Sequence, residues 1–540
     1  MTKYVLRRRR LDRIDVGMSV EKGFLTSVAQ KCNTLIKLKQ LHAHILRCRY
    51  NHTPYALAPL LSVAAISNDA SFFSYARSIF RHLLHRNTFM HNTMIRGYLQ
   101  ARLPLPAVSC YLSMLQNGIA VNNYTFPPLV KACIALLPSF KVIGRLVHGH
   151  VVKFGFRDDP YVLSAFIEFY SVSREVELAR VLFDKTTKKD VVLGTAMVDG
   201  YGKMGNVEKA REVFEQMPDR NAVSWSAMIA AYSRVSDFKE VLALFAEMQN
   251  EGTKPNESVL VSVLTACAHL GAFVQGLWVH SYAKRFQLDS NPILATALVD
   301  MYSKCGCVES ALSVFQSIVN KDAGAWNAMI CGVALNGDAE KSLELFYQMA
   351  ASGTKPNETT FVAVLTACTH AKMVQQGLWL FENMSSSYGV APKMEHYACV
   401  VDLLSRAGMV EEAEKFMEEM GGLAASDANV WGSLLNACRI HKNIHVGNRV
   451  WKKLLDMGIA DCGTHVLTYN IYREAGWEAE AKKVRARIEE IGMRKKPGCS
   501  IIEVDNEVEE FLAGDRSHPL AQEICRLLDT ILKMETLENF

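Results

Sequence analysis

At 540 residues the chain is too long for one compact core, and 49% apolar with 21% charged residues excludes a disordered or fibrous class. No apolar run reaches the eighteen residues that a membrane helix needs, so no membrane partner is expected. The net charge of +5 permits a nucleic-acid partner without arguing for one, because a basic groove can hide in a near-neutral total.

The chain opens with MTKYVLRRRRLDRIDV over residues 1–16. Arg7–Arg10 fit either an Arg-rich organelle transit segment or a solvated basic tail, and Asp12 and Asp15 weaken the first reading. Residues 17–52 and 53–87 read as two degenerate helical units. From residue 88 the chain becomes periodic. GTKPNE at 252–257 returns at 353–358, and VSVLTACAHLGAFVQGLW at 261–278 returns as VAVLTACTHAKMVQQGLW at 362–379. TAMVDGYGKMGNVEKA at 195–210 returns as TALVDMYSKCGCVESA at 296–311, and WSAMI at 225–229 as WNAMI at 326–330. One offset shared by four blocks means stacked structural repeats.

Each repeat has one grammar. In 222–256, Trp225, Met228, Ile229 and Tyr232 form an apolar stripe at helical spacing. Val235-Ser236-Asp237 makes a polar corner, and Val241, Leu244, Phe245 and Met248 form a second stripe. Gly252 and Pro255 end it. Such a helix–turn–helix cannot bury both stripes alone, so it stacks on neighbours. The units run 88–122, 123–159, 160–190, 191–221, 222–256, 257–291, 292–322, 323–357, 358–393 and 394–427, and residues 428–540 follow as a distinct C-terminal segment. The expected fold is all-α: a right-handed superhelical solenoid of helix–turn–helix repeats.

No catalytic constellation appears, and no cofactor is expected. The fourteen cysteines show no framework spacing; Cys133, Cys267 and Cys368 occupy matching stripe positions and read as small buried hydrophobes. That usage fits a reducing compartment. Cys305-Gly306-Cys307 is too tight for a zinc knuckle. His441 and His445 stand one turn apart on an expected helix, but Lys442 follows the first where a metalloprotease needs glutamate. His148-Gly149-His150 reads as structural. A zinc deaminase needs H-x-E and P-C-x-x-C, and neither occurs in the sequence.

Units closing in GTKPN after an LF-x-x-M helix resemble pentatricopeptide repeats. The alternation of 31, 35 and about 36 residues resembles the plant subclass with short, long and standard motifs. WGSLLNACRIHKNIHVGNRVWKKLL from Trp431 and KKPGCSIIEVDNEVEEFLAGDRSHP at 495–519 are similar to that subclass's C-terminal extension motifs. A DYW-type deaminase domain follows these in many relatives. Here the sequence stops at Phe540, so an enzyme is not expected.

The resemblance implies one RNA base per repeat, read by the fifth and last residues of a motif, with the second residue packing beside the base. Asn92 with Asn122 implies a pyrimidine, Ser164 with Asp190 guanine, and Thr195 with Asn221 adenine. Ser226 with Asn256 implies adenine, Thr296 with Asp322 guanine, and Asn327 with Asn357 a pyrimidine. Val192, Val223 and Ile293 suit the flanking role; Gly324 departs from it. Pro127, Val261 and Val362 make the long motifs weak readers, and Ala398 with Asp427 fits no clear base. The competing reading of each polar residue is a plain helix cap.

Three functions follow. The first is an RNA-binding adaptor in a mitochondrion, or alternatively a chloroplast, selecting a cytidine for C-to-U editing by a separate DYW-type deaminase recruited through 428–540. The second is an RNA stability, splicing or translation factor. The third is a tetratricopeptide-like protein scaffold, whose packing pattern Gly200, Tyr201, Gly205, Ala210 and Phe214 also satisfy.

Overall fold

The computed structural model describes residues 27–47, 54–67, 69–83, 85–186, 189–419, 428–492, 499–504, 507–512, 516 and 520–538. The basic segment 1–16 and Asp427 lie outside them. The described chain is an array of paired helices. First helices span Thr88–Gln100, Phe126–Ala135, Pro160–Val172, Val191–Lys203, Ala222–Arg234, Glu257–Leu270, Pro292–Lys304, Ala323–Leu335, Glu358–Ala371 and Met394–Arg406. Each is followed by a second helix, such as Val207–Glu215 after the fourth and Phe273–Arg285 after the sixth.

The array divides into two compact units. One holds residues up to 237 with 248–254, the other 238–247 with 255 onward. Within the first, the helix Thr88–Gln100 packs on Phe126–Ala135, and successive first helices continue the stack to Ala222–Arg234. Within the second, the same stacking runs from Glu257–Leu270 through Met394–Arg406 and beyond. The cause is the pair of stripes on each hairpin: Trp225, Met228, Ile229, Val241, Leu244, Phe245 and Met248 are all fully buried. Burying a side chain of this kind contributes roughly 1.5–3 kcal/mol.

The 101-residue sequence echo is also a packing echo. Phe214 meets Trp225 edge-on at 4.8 Å, and Phe315 meets Trp326 at 4.9 Å. Arg220 lies over the Phe214 ring at 4.9 Å and Lys321 over Phe315 at 5.1 Å. Close approach of neighbouring first helices demands glycine. A Cβ on Gly97 would lie 2.7 Å from the Ala65 carbonyl oxygen.

The first part of the C-terminal segment continues the pattern, which the sequence reading did not anticipate. Helices Ala428–Ile440 and Ile444–Asp456 pair, as do Cys462–Glu474 and Glu478–Ile491. A ladder joins the first pair to the helix Val410–Glu419: Asn443 donates to Glu411 at 2.6 Å, Arg449 grips Glu414 with two nitrogens at 3.0 and 2.5 Å, and Lys453 pairs with Glu418. One addition to the helical plan follows. β1 (Cys499–Val504) and β2 (Glu507–Leu512) pair antiparallel, with Ile501 opposite Glu510 and Ile502 opposite Glu509. The β-branched run Ile501-Ile502 favours extended backbone over helix. Glu503 accepts from the Val274 backbone N–H at 3.3 Å and Glu510 pairs with Lys239 at 2.5 Å, which seats the hairpin against second-helix N-termini. A last helix covers Ala521–Glu538.

Candidate nucleic-acid interface

The last residue of a motif sits one position before the next first helix, in extended backbone with ψ near 180°. Its Oδ1 accepts the exposed backbone N–H groups of that helix. Asp190 accepts from Leu193 at 3.0 Å, Asn221 from Val223 at 2.9 Å and Ser224 at 3.0 Å, and Asn256 from Val259 at 3.0 Å. Asp322 accepts from Ala325 at 2.9 Å and Asn357 from Thr360 at 3.1 Å. The cap therefore exists at all five positions. It uses one side-chain atom. The second polar atom takes no part in it, and that atom is an N–H donor in Asn221 and Asn357 but an acceptor oxygen in Asp190 and Asp322.

Asn122 differs. The helix of its successor starts only at Phe126, because Pro127 and Pro128 suit a helix's first turn. Asn122 instead closes a turn in which Thr125 Oγ1 donates to its Oδ1 at 3.1 Å.

Fifth residues fall into two groups. Asn92 and Asn327 are buried and reach their partners directly: Asn92 Nδ2 donates to Asn122 Oδ1 at 2.9 Å, and Asn327 Nδ2 to Asn357 Oδ1 at 3.1 Å. Thr360 Oγ1 further fixes Asn327 by donating to its Oδ1 at 2.6 Å. The hydroxyls turn elsewhere. Thr296 donates to the Pro292 carbonyl at 2.8 Å, and Ser164 makes a long contact of 3.5 Å with the Tyr161 carbonyl. Thr195 Oγ1 is buried without a partner. Ser226 is half-buried on its helix. Pro127, Val261 and Val362 are half-buried, with no side-chain polar atom to offer.

The residues expected to flank bases form an exposed apolar set, each at the second position of its own first helix. Val192, Val223 and Ile293 are exposed, Ile293 by 69%. Two members were missed: Phe89 and Tyr161 occupy the same position, and Tyr161 is 65% exposed. Their signal was available, since each stands three residues before a fifth-position residue already chosen. One turn or more along, acid–base pairs recur at matching places: Asp199 with Lys203 at 2.6 Å, Asp300 with Lys304 at 2.9 Å, and Asp402 with Arg406 at 2.9 Å.

Other candidates resolve structurally. His441 is not helical: the helix ends at Ile440 and Lys442 takes a left-handed φ of 57°. His445 begins a different helix, so the two imidazoles do not share one face. His148 and His150 bond the Tyr170 and Tyr111 hydroxyls at 2.8 and 2.9 Å. Burial pushes the Cys267 thiol up to about 12 and those of Cys133 and Cys368 to about 11, as expected for packed cysteines. Among the described residues no three His, Cys, Asp or Glu side chains gather as a metal site, and no helix is long and apolar enough to cross a membrane.

Capped helical hairpins in register, carrying a periodic row of polar pairs, define a helical-repeat protein. The PPR repeat matches residues 89–119, 195–221, 294–322 and 395–423, and the PPR repeat family 220–269 and 321–370. The E motif matches 441–503 and the E+ motif 508–533. A pentatricopeptide repeat-containing protein of Arabidopsis thaliana is 43% identical over 95% of this chain and 82% of its own length. The chain belongs to the pentatricopeptide repeat family, with E and E+ motifs. The chloroplastic protein ELI1 of the same plant is 40% identical over 94% of this chain and 79% of its own. Among solved structures, the pentatricopeptide repeat protein PPR10 from maize is 15% identical, covering 87% of this chain and 74% of that one at a TM-score of 0.49.

Proposed function

We infer that this protein binds single-stranded RNA by sequence in a plant organelle and marks a cytidine for C-to-U editing by a separate DYW-type deaminase. The observation that carries the RNA reading is the divided use of Asp190, Asn221, Asp322 and Asn357: one side-chain atom caps a helix, and the second polar atom takes no part in the cap. An acceptor oxygen, from Asp190 or Asp322, complements the N1–H and N2–H₂ donors of guanine. A donor amide, from Asn221, complements the N1 acceptor of adenine. Exposed apolar residues stand beside five of the six pairs, and the aromatic ones, Phe89 and Tyr161, offer stacking surfaces worth about 1–3 kcal/mol per base. The expected site reads Y-x-G-A-A-x-G-Y from 5′ to 3′.

Relatives named as chloroplastic support an organelle; a mitochondrion remains our first assignment and a fluorescent fusion tests it. The E and E+ matches support recruitment through residues 428–540. Fluorescence polarisation with the eight-nucleotide RNA and its single-base variants tests the code. Asn221→Asp moves preference at one position from adenine to guanine, by about 1–3 kcal/mol on the analogy of direct readout in DNA; unchanged preference removes the code. Deleting 430–540 should leave RNA affinity while abolishing editing, and a fused deaminase domain should restore it. Conversion of cytidine by the purified protein alone would overturn recruitment.

A further inference from the structure

A lone two-stranded hairpin is marginal in water and needs further strands or a helix to pack on. The hairpin of β1 and β2 finds that support at two corners far away in the chain. Lys239, in the first turn of the helix Phe238–Asn250, pairs with Glu510 across 271 residues at 2.5 Å. The Val274 backbone N–H, in the first turn of Phe273–Arg285, donates to Glu503 across 229 residues at 3.3 Å. Lys239 and Val274 belong to consecutive repeats, 222–256 and 257–291.

The two contacts come from one face of the hairpin. Strand alternation puts residues 499, 501 and 503 on the same side, and the register sets Glu510 opposite Ile501. Glu503 and Glu510 therefore share a face with Cys499. The Cys499 thiol donates to Glu510 Oε1 at 2.8 Å, while Oε2 takes Lys239. On the repeat side, Asn206, Asp338 and Asn443 cap their own second helices, whereas Ala272, Cys307 and Met373 at the matching place give no side-chain cap. Of these last three helices, the one after Ala272 receives a carboxylate from a distant segment, that of Glu503. A carboxylate there satisfies an exposed N–H and favours the helix dipole.

We propose that this hairpin is a clasp. It fastens the extension to the corners of repeats 222–256 and 257–291, and so fixes where a deaminase recruited through 428–540 stands on the RNA. The proposal rests on the recruitment reading above and adds to it an anchor on the repeats themselves. The clasp spans the end of the E-motif match and the start of the E+ match. It lies clear of the base-reading residues. Ser226 and Asn256 stand at or before the starts of their first helices, whereas Lys239 and Val274 follow the far ends of the same helices. At 1.5 Å per residue the separation is about 12 Å or more. An exposed ion pair and a carboxylate at a helix N-terminus are both screened by salt, so ionic strength opens the clasp.

Hydrogen exchange of the full chain, followed by mass spectrometry, tests the clasp. Lys239→Glu reverses the ion pair while suiting a helix's first turn, and Glu503→Ala removes the distant cap. Together they should speed exchange of the amides in 499–512 and 273–276 on the order of tenfold, as two exposed charged contacts allow. Amides of 428–491 should not change. About 1 M salt should have the same effect on wild type. Lys239→Glu combined with Glu510→Lys restores opposite charges and should return exchange toward the wild-type rate. Unchanged exchange in the first pair of substitutions, or no recovery in the second, overturns the clasp. The positioning role is read separately. With Lys239→Glu and Glu503→Ala, affinity for the eight-nucleotide RNA should hold while editing in plants falls severalfold, and the reciprocal charge pair should recover it. An opened clasp with full editing overturns positioning. A loss of RNA affinity in step with opening assigns the hairpin to support of the repeats and also overturns it. If the wild-type protein edits nothing in plants, the recruitment reading falls and positioning with it, while exchange still decides whether the clasp exists.

Discussion

Asn221 shows how much one side chain is asked to do. Its Oδ1 accepts from both Val223 and Ser224, and Ser224 Oγ accepts from the Asn221 backbone N–H at 2.9 Å, completing a capping box. Capping and base reading therefore make separable demands. Asn221→Ala should lower stability by about 1 kcal/mol through loss of the cap. Asn221→Asp should keep the cap, since a carboxylate at a helix N-terminus accepts the same bonds and favours the dipole. Urea denaturation of the two variants beside wild type checks this. A role in capping alone predicts that RNA binding follows stability. A double role predicts that the stable Asp variant is the one with altered base preference. The residue type was legible in the sequence as Asn or Asp before an apolar stripe. Which atom the cap consumes was not, because that depends on the backbone N–H groups of the following turn.

At the scale of one element, neighbouring first helices touch through small residues. Gly97 lies on Thr88–Gln100 against the end of Pro54–Ala65, where the nearest atom is backbone and cannot rotate away. Gly97→Ala should therefore force the helices apart and cost roughly 1–3 kcal/mol, in the range of core overpacking. A fall in the urea midpoint of that magnitude, with helical circular dichroism retained in buffer, is the expected result; an unchanged midpoint would show that the helices slide at no cost. The sequence placed Gly97 within the repeat 88–122 but gave no reason for a glycine there. Gly408, at φ +85°, turns the chain where an added Cβ would lie 3.3 Å from the His441 ring.

At the scale of the molecule, stability is shared among neighbours, so a single two-state free energy does not describe unfolding. A common pH response is still expected. Burial lowers the pKa of His91, His148 and His280; His280 lies 2.6 Å from the Tyr302 hydroxyl, and Lys284 lowers it further. The unfolded chain then binds protons more readily than the folded one just below the ordinary histidine value of about 6.5. Stability is full above that value and is lost as pH falls from it through the lower folded values. The thermal midpoint should be lower at pH 5 than at pH 7. Replacing His148 and His280 by Gln should flatten the dependence, and an equal slope in that variant would assign the effect to other groups.

The amino-acid sequence alone determined the repeat, its helix–turn–helix grammar, most helix starts and the family resemblance. These are local properties: stripe spacing, capping residues and Gly-x-Lys-Pro stops act within about one turn. Tertiary structure alone decided three further things. It showed the extension beginning as two more helical hairpins, since the ladder from Glu411 to Lys453 joins segments more than thirty residues apart. It placed a β-hairpin against second-helix starts through Glu503 and Glu510. It also gathered His370, Arg406, Asn436 and His441 around one cleft, a juxtaposition set by the stacking of three helices and by no spacing within any one of them.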